Sequence, residues 1–132
     1  GDRPWHIALR HPDDTDKTAG TLSVSDTSIV TSGDYERYFI ENGRRYHHIF
    51  DPHTGQPVQN GLRAVTVICK DSEKADILST ALFVMGEKKA ALFWKEHRGE
   101  FQMILFRNDN TLMITPDLQK IFTSELPVVL IS

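Results

Sequence analysis

The chain has 132 residues, 39% of them hydrophobic and 25% charged, a balance typical of one domain with its own core. Its net charge of −3 argues against nucleic-acid binding, which needs a basic surface that the pairs Arg44-Arg45 and Lys88-Lys89 are too few to supply. The single cysteine, Cys69, excludes an internal disulfide, and its apolar neighbours indicate a buried, unreactive thiol.

The first half of the chain predicts short strands and a hairpin. Residues 5–10 alternate apolar and polar side chains, and two more β-like runs follow at 21–24 and 28–31. Asn42-Gly43 favours a tight turn, because glycine has no Cβ and asparagine tolerates the left-handed region. Residues 35–40 and 44–50 are therefore predicted to pair as a hairpin, and residues 51–57 to form a loop.

The second half predicts a buried strand and two helices. Residues 62–69 form an apolar strand; Asp71-Ser72 can cap a helix over 73–85, Gly86 can end it, and a second helix covers 87–97. Residues 101–106 and 111–114 predict a hairpin, 116–122 a short helix and 128–131 a last strand. The expected fold class is α+β: a mostly antiparallel sheet with a β-hairpin and two consecutive helices packed on it, in a single domain over residues 1–132.

The first predicted helix carries two oxygen donors on one face. Asp76 and Thr80 are four residues apart, so their side chains lie on the same side. Most other residues of this helix are apolar, and an unpaired buried carboxylate is costly, so a hard cation such as Mg²⁺ is one partner that would satisfy Asp76. The alternative is structural: Asp76 interacts with the helix dipole and Thr80 bonds back to helix carbonyls.

Two loop regions also carry polar groups that are typical of sites. His47 and His48 precede Asp51, and histidine beside a carboxylate is the usual arrangement for proton transfer near neutral pH. Adjacent strand residues face opposite ways, so only one of the two histidines can serve a given site. Residues 31–35 (Thr-Ser-Gly-Asp-Tyr) could cradle an anion. Each region could equally be a plain turn.

Together these segments resemble the ordered C-terminal signatures of the ApbE family, the FAD:protein FMN transferases. The resemblance rests on residues 31–38, 48–58, 65–68 and 75–86, which agree in order and spacing. It implies a Mg²⁺-dependent enzyme that takes FAD as substrate and transfers FMN to a threonine or serine hydroxyl of a target flavoprotein, while AMP leaves.

The resemblance also implies roles for single residues. His48 is the expected general base, and Asp51 is expected to hold its loop or its imidazole. Asp76 and Thr80 are the expected Mg²⁺ ligands, with Ala75 in the adjoining turn. The residues expected to line the flavin or phosphate region are Ser32, Gly33, Asp34, Thr54 and Gly55.

Family members are longer at the N-terminus, and their glycine-rich FAD-binding segments have no counterpart here. We therefore expect the chain to be the C-terminal, metal-bearing part of a longer transferase, and to bind FAD weakly without its missing N-terminal half. The resemblance further implies a partner subunit of a membrane redox complex and a lipid-anchored location on the periplasmic side of the inner membrane. Two alternatives remain: a flavin- or nucleotide-binding module without transferase activity, and a purely structural domain.

Overall fold

A computed structural model describes residues 5–10, 18–33, 40–41, 44–45 and 62–131. The strands in these ranges are β1 (Trp5–Arg10), β2 (Thr18–Val24), β3 (Ser28–Gly33), β4 (Ile40–Glu41), β5 (Arg44–Arg45), β6 (Leu62–Cys69), β7 (Gln102–Arg107), β8 (Leu112–Ile114), β9 (Phe122–Thr123) and β10 (Val128–Leu130). The helices are α1 (Ser72–Met85), α2 (Glu87–Glu96) and a 3-10 turn at Pro116–Leu118. None of these described helices is long and apolar enough to cross a membrane.

The described strands form two sheets. One has seven strands in the order β10-β8-β7-β6-β3-β4-β5, and the other has three in the order β1-β2-β9. Neighbours run antiparallel except at one edge, where β10 lies parallel to β8. Strands β4 and β5 pair with Ile40 opposite Arg45, which agrees with the predicted hairpin as far as it is described. The rest of that hairpin and the loop at 51–57 lie outside the described residues.

Strand β6 lies at the centre of three layers and is buried on both faces. Val65 and Val67 pack in the core that α1 and α2 share, whereas Ala64 and Ile68 pack in a second core with β2 and β9. The helices thus cover one face of the large sheet, and the small sheet covers the other. Burial on both faces explains why β6 is mostly apolar and does not alternate apolar with polar residues.

Helix α1 has the boundaries that the sequence predicts. The Asp71 side chain accepts hydrogen bonds from the main-chain N–H groups of Glu73 (3.0 Å) and Lys74 (3.3 Å), so it caps the first turn. Gly86, with φ of 87°, ends the helix, and its N–H donates to the carbonyl of Leu82 at 3.2 Å. The helix between these ends packs along β3 and β6.

The α+β prediction is confirmed, but the predicted helix over residues 116–122 is wrong. The 3-10 turn ends at Leu118, and Phe122 begins strand β9, where it pairs with Leu22 of β2. Phe122 is only 6% exposed in the core between the two sheets. Burial of this ring on the small sheet therefore outweighs the local preference for a helix.

Candidate active site

Helix α1 separates a buried side from a side that carries oxygen donors. Asp76 and Thr80 are both partly exposed, and residues spaced in this way have Cβ atoms about 5–6 Å apart. Their neighbour Ile77 is 70% exposed, so this side of the helix is open within the described chain. Ala75 lies in the core that α1 shares with β6 and is 0% exposed.

Strand β3 brings Ser32 against α1 beside these donors. The Oγ atoms of Ser32 and Ser79 are 2.8 Å apart, and Ser32 Oγ is 3.4 Å from Thr80 Oγ1. The Ser79 hydroxyl also donates to the main-chain carbonyl of Asp76 at 3.0 Å. Both serines are 0% exposed. Two segments that sequence analysis singled out, 31–38 and 75–86, therefore meet at one point of the structure.

The donors on this face fit a Mg²⁺ ion. The Asp76 side chain lies on this partly exposed face, and its carboxylate offers two acceptor oxygens. Thr80 adds a hydroxyl on the same face. Mg²⁺ in proteins commonly binds one or two carboxylates and completes its shell with phosphate and water oxygens. Ala75 has no side-chain oxygen and a buried methyl group, so only its main-chain carbonyl could contribute.

Within the described ranges, no three His, Cys, Asp or Glu side chains converge as a set of metal ligands. A cation on the Asp76 face would therefore take few oxygens from this part of the chain.

The N-terminal end of α1 carries an ion pair away from this face. Lys74 Nζ lies 3.0 Å from Glu100 Oε1. This hydrogen bond lowers the pKa of Glu100 below its ordinary value and raises the pKa of Lys74. Both side chains are well exposed, so the pair ties α1 to the segment before β7 and stabilises the fold only weakly.

Residues 1–105 match the model of the ApbE family. The chain belongs to the ApbE family. A FAD:protein FMN transferase of Klebsiella pneumoniae (strain 342) is 38% identical over 113 residues, which are 85% of this chain and 36% of that relative. The one of Treponema pallidum (strain Nichols) is 42% identical over 103 residues, 77% of this chain and 28% of that relative.

Solved ApbE structures share the fold described above. The crystal structure of the ApbE protein from Thermotoga maritima has a TM-score of 0.73 and 34% identity, and it covers 92% of this chain and 39% of that one. The flavin transferase ApbE from Vibrio cholerae has a TM-score of 0.66 and 33% identity, covering 89% of this chain and 38% of that one. The chain spans about a third of the length of the curated relatives it matches.

The structure places only part of the predicted ApbE site. Asp76, Thr80 and Ser32 lie together, and Gly33 is buried at the end of β3 opposite Ala64. The predicted site residues outside the described ranges are Asp34, His48, Asp51, Thr54 and Gly55. Their roles remain predictions.

Sequence reasoning missed Ser79. Its signal was a hydroxyl in a run that is otherwise mostly apolar, on the helix side that must be buried. A buried hydroxyl needs a hydrogen-bond partner, so Ser79 required a polar group from another element. That partner, Ser32, could not be named without the packing of α1 on β3.

Proposed function

We propose that this chain forms the metal-bearing part of a Mg²⁺-dependent FAD:protein FMN transferase. Membership of the ApbE family supports this function. The observation that carries it is the face of α1 on which Asp76 and Thr80 present oxygen donors, with Ser32 of β3 at 3.4 Å from the Thr80 hydroxyl. Two of the segments on which the family resemblance rests thus meet beside the oxygen donors of Asp76 and Thr80.

The proposed reaction moves FMN from FAD to a threonine or serine hydroxyl of an acceptor protein. The hydroxyl oxygen bonds to the phosphorus on the FMN side of the pyrophosphate, and the bond from that phosphorus to the AMP oxygen breaks. AMP leaves, and the hydroxyl proton passes to a base. Bound Mg²⁺ supplies charge neutralisation on the pyrophosphate and on the leaving AMP.

Each part of this chain has a distinct task in the proposed reaction. Asp76 and Thr80 hold the cation, helped by the carbonyl of Ala75. His48 takes the proton from the acceptor hydroxyl, and Asp51 keeps the imidazole or its loop in place. The residues proposed to line the flavin or phosphate region are Ser32, Gly33, Asp34, Thr54 and Gly55.

The partners follow from the family resemblance alone. The proposed acceptor is a flavoprotein subunit of a membrane redox complex, and the proposed location is lipid-anchored on the periplasmic side of the inner membrane. Because the chain spans about a third of its curated relatives, we also propose that tight FAD binding requires the part of their length that it does not span.

The function is tested with the complete product of the reading frame that encodes these residues. It is incubated with FAD, Mg²⁺ and the acceptor protein of the Vibrio cholerae flavin transferase. We expect flavin fluorescence that stays with the acceptor in a denaturing gel, and one AMP released per flavin attached. Chelation of Mg²⁺ should stop both. If FAD binds but neither AMP nor attached flavin forms, the alternative of a binding module replaces this proposal.

A further inference from the structure

Three hydroxyls form a chain between the central sheet and the candidate metal face. Ser32 Oγ contacts Ser79 Oγ at 2.8 Å and Thr80 Oγ1 at 3.4 Å, and Ser79 donates to the Asp76 carbonyl at 3.0 Å. Ser32 and Ser79 are fully buried, whereas Thr80 is partly exposed. The chain of hydroxyls therefore runs from the protein interior to the surface that carries Asp76.

The direction of each hydrogen bond follows from the number of protons. A carbonyl oxygen can only accept, so the one hydroxyl proton of Ser79 goes to Asp76. Ser79 Oγ must then accept the hydrogen bond from Ser32, so Ser32 donates its one hydroxyl proton to Ser79. Ser32 Oγ is left as an acceptor, and the Thr80 hydroxyl is the donor to it.

Counting the lone pairs of the Asp76 carbonyl excludes an alternative orientation of the Thr80 hydroxyl. A threonine inside a helix often donates back to the carbonyl four residues earlier, which here is that of Asp76. That carbonyl has two lone pairs, and they are taken by the helical N–H of Thr80 and by the Ser79 hydroxyl. The Thr80 proton is thus drawn toward Ser32, and its oxygen lone pairs remain for the open side of α1.

We propose that Ser79 and Ser32 are positioning residues that turn the Thr80 hydroxyl so that its lone pairs meet a divalent cation beside Asp76. The inference rests on the proposed function, because it assumes the cation on this face. It adds that Ser79 acts on both ligands at once: it bonds to the main chain of Asp76 and, through Ser32, orients Thr80. Neither serine touches the cation.

A second hydroxyl pair provides the matched control. Thr31 and Thr66 lie opposite each other on β3 and β6, with their Oγ1 atoms 2.8 Å apart. Thr66 is 5% exposed and lies on the face of the sheet turned away from α1, where it borders the core with the small sheet. Thr66→Val removes a buried hydroxyl of the same kind but leaves the hydrogen bonds among the Ser79, Ser32 and Thr80 hydroxyls in place.

The experiment measures Mn²⁺ binding to the complete gene product by electron paramagnetic resonance, with Mn²⁺ as the probe for a hard cation site. Ser79→Ala is expected to weaken Mn²⁺ binding about tenfold or more, since losing a group that orients a metal ligand typically costs 10–100-fold. Ser32→Ala should do the same and serves as the second variant if Ser79→Ala does not fold. Thr66→Val should keep the wild-type affinity, although its melting temperature falls.

Asp76→Asn separates the possible failures. If Asp76→Asn loses Mn²⁺ binding but Ser79→Ala and Ser32→Ala keep it, the positioning role is overturned and the proposed function stands. If all three variants bind Mn²⁺ like the wild type, the cation face itself is wrong, and the positioning role falls with it. Equal loss of affinity in Thr66→Val and Ser79→Ala would also overturn the inference, because any buried hydroxyl would then have the same effect.

Discussion

Ser32 Oγ on strand β3 lies 2.8 Å from Ser79 Oγ on helix α1, although 47 positions of sequence separate the two serines. The contact joins the sheet to the helix at the point where Asp76 and Thr80 present their oxygens. Substitutions at Asp76 and Thr80 therefore test the proposed cation site directly, whereas substitutions at Ser32 and Ser79 test how it is positioned.

The first prediction concerns the charge of Asp76. Asp76→Asn keeps the size of the side chain and removes the charge that a hard cation needs. Losing about 3 kcal/mol of charge stabilisation corresponds to roughly a hundredfold slower FMN transfer at limiting Mg²⁺. Transfer rates are measured against Mg²⁺ concentration. Glu73→Gln, an exposed acid on the same helix, should leave the rate unchanged, and an unchanged rate in Asp76→Asn would remove Asp76 from the ligands.

The second prediction concerns His48, the proposed general base. His48→Asn is expected to slow FMN transfer by about a hundred- to ten-thousand-fold, the usual contribution of general base catalysis. FAD affinity should change far less, because a lost neutral contact costs only about 1 kcal/mol. The rate is followed against pH with FAD saturating, and His47→Asn is the control. If His48→Asn keeps the wild-type rate and pH profile, the base is another residue.

The third prediction concerns the packing of the small sheet. A Cβ on Gly20 would overlap the ring of Phe122 and would lie 3.0 Å from the carbonyl oxygen of Thr123. Overpacking of this kind costs about 1–3 kcal/mol, so Gly20→Ala should lower the free energy of unfolding by that amount in urea denaturation. Adding Phe122→Leu should cost less in the Gly20→Ala background than in the wild type. Simple additivity of the two changes would argue against the clash.

The fourth prediction concerns the ion pair at the start of α1. The hydrogen bond from Lys74 lowers the pKa of Glu100, so the pair contributes stability above the unfolded pKa and loses it as pH falls through the folded pKa. Lys74→Gln should raise the pKa of Glu100 toward its ordinary value. Carbon-detected NMR titration of the Glu100 carboxyl measures this shift. Lys88→Gln, an exposed lysine on α2, should leave it in place, and no shift in Lys74→Gln would contradict the pairing.

Elements that depend on residues close by in the sequence could be predicted from the sequence. Asp71 and Gly86 bound α1 as predicted, since a cap acts on main-chain groups a few residues away. Strand β6 follows from its mostly apolar sequence, and the Asp76–Thr80 face follows from helical spacing alone. The family signature could be recognised for the same reason, because it consists of short ordered segments.

Only the tertiary structure decided the features that depend on contacts between residues far apart in the sequence. It put Phe122 into a strand against Leu22, where the sequence favoured a helix, because the ring gains more by burial between two sheets than by local preference. It also gave Ser79 its partner. The sequence shows that a serine on the buried side of α1 needs a hydrogen bond, but only the packing of α1 on β3 makes Ser32 the group that supplies it.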